Sequence, residues 1–299
     1  MDEITFTSGE DRCAAWHFPA VGDTYAGANG RPCVVMAPGF CGTRDSRLIA
    51  YAEGFAAAGL DVVFFDYLGF GTSGGSLRQV VSVRRQRQDY QAAVTAARRL
   101  PGVDPERIVL WGVSYAGGHV VVVAAQDKRI AATISLTPAM DGRAVLTQLA
   151  RSCGPTYMAR ATLHGLRDVS RTLTGRAPYL VPMIGEPGSN AIFPRAGGLE
   201  TYRPVAGPSW RNEVSARAAL EAGFNRPIKL ASRVECPLLV QVGTNDTIVP
   251  PHAGRRAAAQ AGAGSEFREY PFDHLDVYSA PWLERALTDQ LDFLHRTLS

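Results

Sequence analysis

Lysine is nearly absent from this 299-residue chain: Lys128 and Lys229 are the only two, and arginine supplies the rest of the 31 basic residues. Against 28 acidic residues the formal charge is only +3, and the arginines are scattered rather than gathered into one stripe. The densest group, VRRQRQ at 83–88, follows a helix pattern and is expected to form a solvated face. A nucleic-acid partner needs a stronger basic footprint, so none is expected. Long apolar runs are also missing. None approaches the roughly 20 residues that cross a bilayer, so no membrane partner is expected. The opening stretch MDEITFTSGEDRC has neither the basic region nor the apolar segment of a secretory signal, and the expectation is a cytoplasmic protein. Five cysteines are few, odd in number and widely spaced, with no CxxC and no Cys/His spacing of a zinc site. They are expected to be free thiols, with Cys33 and Cys236 packing as small hydrophobes beside apolar strands, and no metal is expected. There is no internal repeat and no low-complexity tract. The composition suits a monomer or a homo-oligomer equally.

Among the residues that are abundant, 46% are hydrophobic, enough for a sizeable core. Their spacing alternates strand and helix. EITFTS and AAWHF read as an early antiparallel pair, and CVVMA at 33–37 as a short buried strand. A helix over 46–59 follows, with Leu48, Tyr51, Ala52, Phe55 and Ala56 at helical spacing and Gly59 as its stop. DVVFFDY (61–67), RIVLWG (107–112) and IAATISL (130–136) read as further strands. Between them lie a helix from Ser82 to Pro101 and a buried helix in AGGHVVVVAAQ, whose valines alone would also suit a strand. The alternation lapses over 138–233 and resumes with PLLVQVG (237–243), a helix near 252–262, the strand EFREY and a last helix from Ser279. Pro281 is expected in that helix's first turn, and Leu283, Leu287, Leu291, Leu294 and Leu298 along its apolar stripe. The expected fold class is α/β, a mostly parallel sheet flanked by helices. Residues 1–137 and 234–299 form the expected core, and 138–233 an inserted, largely helical lid.

Within that pattern, Ser114 lies in GVSYA, where a strand gives way to a helix. A serine nucleophile needs a sharp turn for exposure, a base for its proton and donors for a developing oxyanion. The G-x-S-x-G elbow meets the first need, and here Ala116 replaces the last glycine. In this architecture the acid and then the histidine follow the serine along the chain. Asp246, just past the strand 237–243, is the expected acid, with Asp141 in reserve after the strand 130–136. His274, in the loop after EFREY, is the expected base. His252 reads as a first-turn residue of its helix and His295 as a solvated residue near the end of the last one. The oxyanion donors are expected to be the backbone amides of Tyr115 and, in the PGFCG loop, Phe40, with Cys41 next.

PGFCG, DYLGFGTSGG, GVSYAGGH, CPLLVQVGTNDTIVPP and DHLDVY together resemble, in that order, the oxyanion loop, post-strand turn, elbow, acid loop and histidine loop of the α/β-hydrolase superfamily. Pro38 stands where many members have a histidine. The runs YAEGFAAAGL and SWRNEVSARAAL are similar to a subgroup of bacterial hydrolases and fungal polyketide transferases. The resemblance implies ester or thioester chemistry. The expected function is therefore a serine hydrolase (carboxylesterase or thioesterase type) acting on a small-molecule acyl substrate through a Ser114 ester, with no cofactor. The alternatives are an acyltransferase that passes the acyl group to an alcohol, a lactonase or peptidase with the same triad, and a catalytically silent binding module. Cys41, Met140, Tyr157, Met158, Tyr179, Met183, Phe193 and Trp210 are the candidates for substrate contact.

Overall fold

The computed structural model describes residues 1–298. Eight strands form one sheet: β1 (Asp2–Ser8), β2 (Asp11–Phe18), β3 (Arg31–Ala37), β4 (Asp61–Phe65), β5 (Val103–Val113), β6 (Ile130–Leu136), β7 (Leu238–Gly243) and β8 (Glu266–Tyr270). Their order across the sheet is β1-β2-β4-β3-β5-β6-β7-β8. Strand β2 runs antiparallel to β1 and β4, and every pairing from β4 to β8 is parallel. The central strands β3 to β7 are covered on both faces, so they read as continuous apolar runs instead of alternating.

Six helices cover the sheet or extend from it: α1 (Ile49–Ala57), α2 (Val83–Ala97), α3 (Tyr115–Gln126), α4 (Gly142–Leu173), α5 (Pro251–Gln260) and α6 (Trp282–Leu298). Helices α1 and α6 pack on each other, so tightly that a Cβ on Gly54 would lie 2.4 Å from Leu287. Helices α2 and α3 pack together on β3 and β5. The ambiguous valine run is helix: Val120 to Val123 are all buried between β5, β6 and the 3-10 turn Pro227–Arg233. Complete enclosure accounts for the absence of a polar face.

Two boundaries and one buried face differ from expectation. Strand β4 stops at Phe65, and beyond it the Asp66 carboxylate accepts the amides of Arg44 (2.7 Å) and Thr72 (3.3 Å) and pairs with the Arg44 guanidinium. Pro281 precedes α6 instead of lying in its first turn; its carbonyl accepts the amide of Arg285. The most buried face of α6 also includes Ala286, Gln290 and Phe293, while Leu283, Leu287 and Leu291 are half-buried. Gln290 is inside because it has partners there. Its carbonyl oxygen accepts the Trp111 indole N–H (3.0 Å) and its amide donates to Gln241 (2.6 Å), whose own amide donates to the Tyr270 hydroxyl (2.7 Å). Buried polar groups persist when every one is bonded.

The VRRQRQ face is also only partly solvated. Arg84 and Arg85 are exposed, but Gln86 is buried against His119 and Arg87 reaches inward to Asn225.

Between β6 and β7 the chain forms α4, two short ribbons (Leu180–Val181 with Val214–Ser215, Ile184–Gly185 with Phe193–Pro194) and several short turns. Helix α4 breaks at Gly154 (φ 78°, ψ 172°), one residue before Pro155. Asp168 is fully buried and fastens the second half of α4 to its surroundings. It accepts the Tyr179 amide (2.7 Å), the Arg217 amide (3.0 Å) and the Arg217 guanidinium (2.6 and 2.9 Å). No helix among the described residues is long and apolar enough to cross a membrane.

Candidate functional site

The sheet order reverses at β3, whose neighbours are β4 on one side and β5 on the other. At such a switch point the loops leaving the two adjacent strands diverge and open a crevice. The loops after β3 and β5 meet there: a Cβ on Gly39 would lie 3.0 Å from the Cβ of Ser114.

Ser114 occupies the turn between β5 and α3 with φ 56° and ψ −114°, a strained conformation for a residue with a side chain. Its surroundings hold it there. The Ser114 amide donates to Leu136 O (2.8 Å), and its carbonyl accepts the amides of Ala139 (2.9 Å) and Gly118 (3.3 Å). The turn is so tight that a Cβ on Gly112 would sit 2.4 Å from Ala116 O. Farther along, a Cβ on Gly118 would sit 2.7 Å from Ala139 O. Ala116 itself is fully buried without displacing the turn. The glycines that this elbow requires are thus Gly112 and Gly118, and the alanine in place of the motif's last glycine is accommodated.

Asp246 follows β7 and His274 follows β8. The two loops are stitched together: Thr244 N donates to Tyr270 O (2.8 Å) and Asn245 N to Phe272 O (3.2 Å). Asp273 adds a second tie. One of its carboxylate oxygens accepts the amides of Thr247 (2.9 Å) and His274 (2.8 Å), and the other pairs with Arg195 from the inserted segment. Burial alone would raise the Asp273 carboxyl, but these amides and the Arg195 guanidinium hold it below the usual carboxylate range.

The three sequence-predicted residues come together. His274 Nδ1 lies 2.7 Å from Asp246 Oδ2, and His274 Nε2 lies 2.9 Å from Ser114 Oγ. The other Asp246 oxygen accepts the amides of Ile248 (2.8 Å) and Val249 (2.7 Å). An ionised carboxylate only accepts, so Nδ1 carries the proton and Nε2 presents its lone pair to the Ser114 hydroxyl. Both the histidine and the aspartate side chains are buried, at 6% and 2% exposure, which keeps competing water from the pair. Asp141, the reserve acid, is elsewhere: it caps α4 by accepting the Arg143 amide (3.0 Å) and forms a bidentate pair with Arg226. Neither the Phe40 amide nor the Tyr115 amide donates to another backbone group among the described residues. No cluster of His, Cys, Asp and Glu able to hold a metal occurs among the described residues.

Two apolar chambers open on Ser114. The larger, about 810 Å³ including its open mouth, is lined by Tyr115, Leu146, Leu149, Tyr157, Met158 and Asn225 among others. The smaller, about 470 Å³ on the same measure, is lined by Met183, Ile184, Tyr202, His274, Leu275 and Tyr278 among others. Phe40, Ser114, Phe193 and Ile248 line both, and the Phe40 and Phe193 rings meet edge to face at 5.5 Å.

Of the expected contact residues, Tyr157, Met158, Met183 and Phe193 line a chamber. The other four do not. Cys41 is buried within the PGFCG loop with φ 56°, and Met140 is buried in the core. Tyr179 stacks between His164 and Arg167, and Trp210 packs on Tyr202. The aliphatic lining from α4, spaced at Val145, Leu146 and Leu149, is one helix face whose period was legible, but nothing in its residue types told a pocket wall from ordinary core.

A family model described as the alpha/beta hydrolase fold matches residues 32–281. The quorum-quenching protein AidA of Acinetobacter baumannii is 32% identical over 296 residues, covering 98% of this chain and 94% of that one. The polyketide transferase af380 of Aspergillus fumigatus is 27% identical over 281 residues, covering 92% of each. Among solved structures, the alpha/beta hydrolase GrgF from Penicillium sp. sh18 superposes with a TM-score of 0.82 at 23% identity, covering 99% of this chain and 98% of that one. The likeness to fungal polyketide transferases seen in the sequence is thus repeated in whole-chain comparison. With the strand order, the switch-point crevice and the family match in agreement, the chain belongs to the alpha/beta hydrolase fold family.

Proposed function

We propose that this protein is a serine hydrolase that cleaves carboxylic esters or thioesters through an acyl-enzyme on Ser114. The observation that carries the reading is the unbroken hydrogen-bonded run from Ser114 Oγ through His274 to the buried Asp246. As Ser114 Oγ attacks the substrate carbonyl carbon, its proton passes to His274 Nε2, and Asp246 stabilises the imidazolium. The carbonyl oxygen becomes an oxyanion between the amides of Phe40 and Tyr115. Collapse of this intermediate breaks the bond to the leaving oxygen or sulfur, which takes the proton from Nε2. Water then attacks the acyl-enzyme by the same steps, releasing the acid and restoring the serine. The segment 138–233 acts as the lid over the larger chamber, to which its α4 contributes Leu146, Leu149, Tyr157 and Met158.

Ser114→Ala is expected to abolish turnover of a short p-nitrophenyl ester and labelling by a fluorophosphonate, with the circular dichroism spectrum intact. Full activity in that variant would sink the assignment. A panel of esters, thioesters, lactones and amides then fixes the bond class, because the same attack opens a cyclic ester.

A second reading is transfer of the acyl group to an alcohol instead of water. The smaller apolar chamber beside His274 favours it, since it offers a dry seat for an acceptor. The relative that bears the name polyketide transferase lends it further weight. Turnover of one ester with a second alcohol present, followed by product analysis, separates transfer from hydrolysis.

A further inference from the structure

The two chambers are not equivalent with respect to the imidazole. His274 lines the smaller and not the larger, whereas Tyr115, whose amide is the proposed oxyanion donor, lines the larger and not the smaller. In the step that breaks the substrate, the leaving oxygen or sulfur must receive its proton from His274 Nε2, so it must lie on the imidazole side of Ser114. The acyl part then extends the other way, past Tyr115 along α4. No lysine, arginine, aspartate or glutamate lines the smaller chamber. Its two phenols, Tyr202 and Tyr278, pack ring to ring at 6.2 Å. The rest of the lining beyond Ser114 and His274 is Met183, Ile184, Phe193 and other apolar groups. An anionic group placed there would lose its water, gain no counter-charge and face the negative faces of the aromatic rings.

We infer that the smaller chamber is the leaving-group site and that it selects an apolar alcohol or thiol without negative charge, with the acyl chain seated in the larger chamber. The inference rests on the acyl-enzyme reading above and adds the orientation and chemical class of the substrate's two halves. Met183 sets the size of the leaving group and Leu149 the length of the acyl chain.

The test uses the full chain and four synthetic substrates: methyl, benzyl and 4-carboxybenzyl octanoate, and benzyl acetate. Wild type is expected to prefer benzyl over methyl octanoate about tenfold in kcat/KM. It is expected to prefer benzyl over 4-carboxybenzyl octanoate by about a hundredfold, because the carboxylate is desolvated without a counter-charge. Met183→Trp is expected to lower the benzyl-to-methyl ratio about tenfold. Leu149→Trp is expected to lower the octanoate-to-acetate ratio of the benzyl esters by a similar factor of about ten. Ratios are read within one preparation, so partial misfolding cancels, and Met183→Ala supplies a variant that adds no bulk. If Met183→Trp changes the acyl ratio and Leu149→Trp the alcohol ratio, the seating is reversed and the inference is overturned. Equal rates for 4-carboxybenzyl and benzyl octanoate overturn the chemical class. Absence of turnover on all four substrates, together with absence of fluorophosphonate labelling of wild type, overturns the acyl-enzyme reading and this inference with it.

Discussion

At the scale of single residues, the site separates groups that act through charge from groups that act through shape. Asp246 and Asp141 are both aspartates placed just past a strand, and the sequence alone gave each a claim to be the acid. Their partners differ: Asp246 bonds His274, while Asp141 caps α4 and pairs with Arg226. Asp246→Asn is therefore expected to lower kcat by about 10⁴, because an amide that donates to Nδ1 favours the wrong tautomer. Asp141→Asn is expected to keep kcat within about threefold and to lower the melting temperature slightly instead, because the amide can still cap α4 but loses the charged bidentate pair with Arg226. Steady-state kinetics and a melting curve on the two variants check both. Ser114, Asp246 and His274 were legible because their chemistry fixes their order along the chain and each sits at a strand end. Cys41, Met140, Tyr179 and Trp210 were misread as pocket residues because a buried apolar side chain has the same spacing whether it faces a cavity or another side chain. Arg87 and Gln86, in a run that reads as solvated, turn inward toward Asn225 and His119, partners that lie far away in sequence.

At the scale of elements, the sheet and its helices were readable and their joints were less so. Strand periods and glycine stops located every strand of the main sheet, because a two-sided core demands unbroken apolar runs. The boundary errors at β4 and α6 are local, at an Asp66 carboxylate that captures two amides and at a proline that precedes its helix. The break in α4 was not readable at all, since Pro155 alone does not tell a kink from a first-turn position. Gly154 holds φ 78° and ψ 172°, a region essentially reserved for glycine, although a Cβ there would meet no other atom within 4 Å. Gly154→Ala is therefore expected to cost about 1–3 kcal/mol through backbone strain alone. Denaturant unfolding measures it. A loss well below that range would mean that the two halves of α4 realign without strain.

At the scale of the whole molecule, the segment between β6 and β7 is fastened to itself by Asp168–Arg217 and to the loop after β8 by Arg195–Asp273, ion pairs that answer to pH. Asp168 is fully buried. Burial alone would raise its carboxyl, but the Arg217 guanidinium and the amides of Tyr179 and Arg217 hold it below the usual range. A carboxyl held low in the folded state contributes stability above its unfolded value, about 3.9, and loses that contribution as pH falls through the folded value. Asp168→Asn is expected to cost roughly 3 kcal/mol at pH 7, as breaking one side of a buried pair does. The variant and wild type are expected to converge as the medium is acidified below the carboxyl's folded value. Chemical unfolding at a series of pH values checks this, and a constant difference down to low pH would refute the linkage. The division between core and insertion has a wider result. Ser114, Asp246 and His274 stand on the ends of sheet strands, whereas much of the wall around the substrate comes from residues between 138 and 233. Substitutions between 138 and 233 can therefore reshape the two chambers without moving the strand ends that carry Ser114, Asp246 and His274.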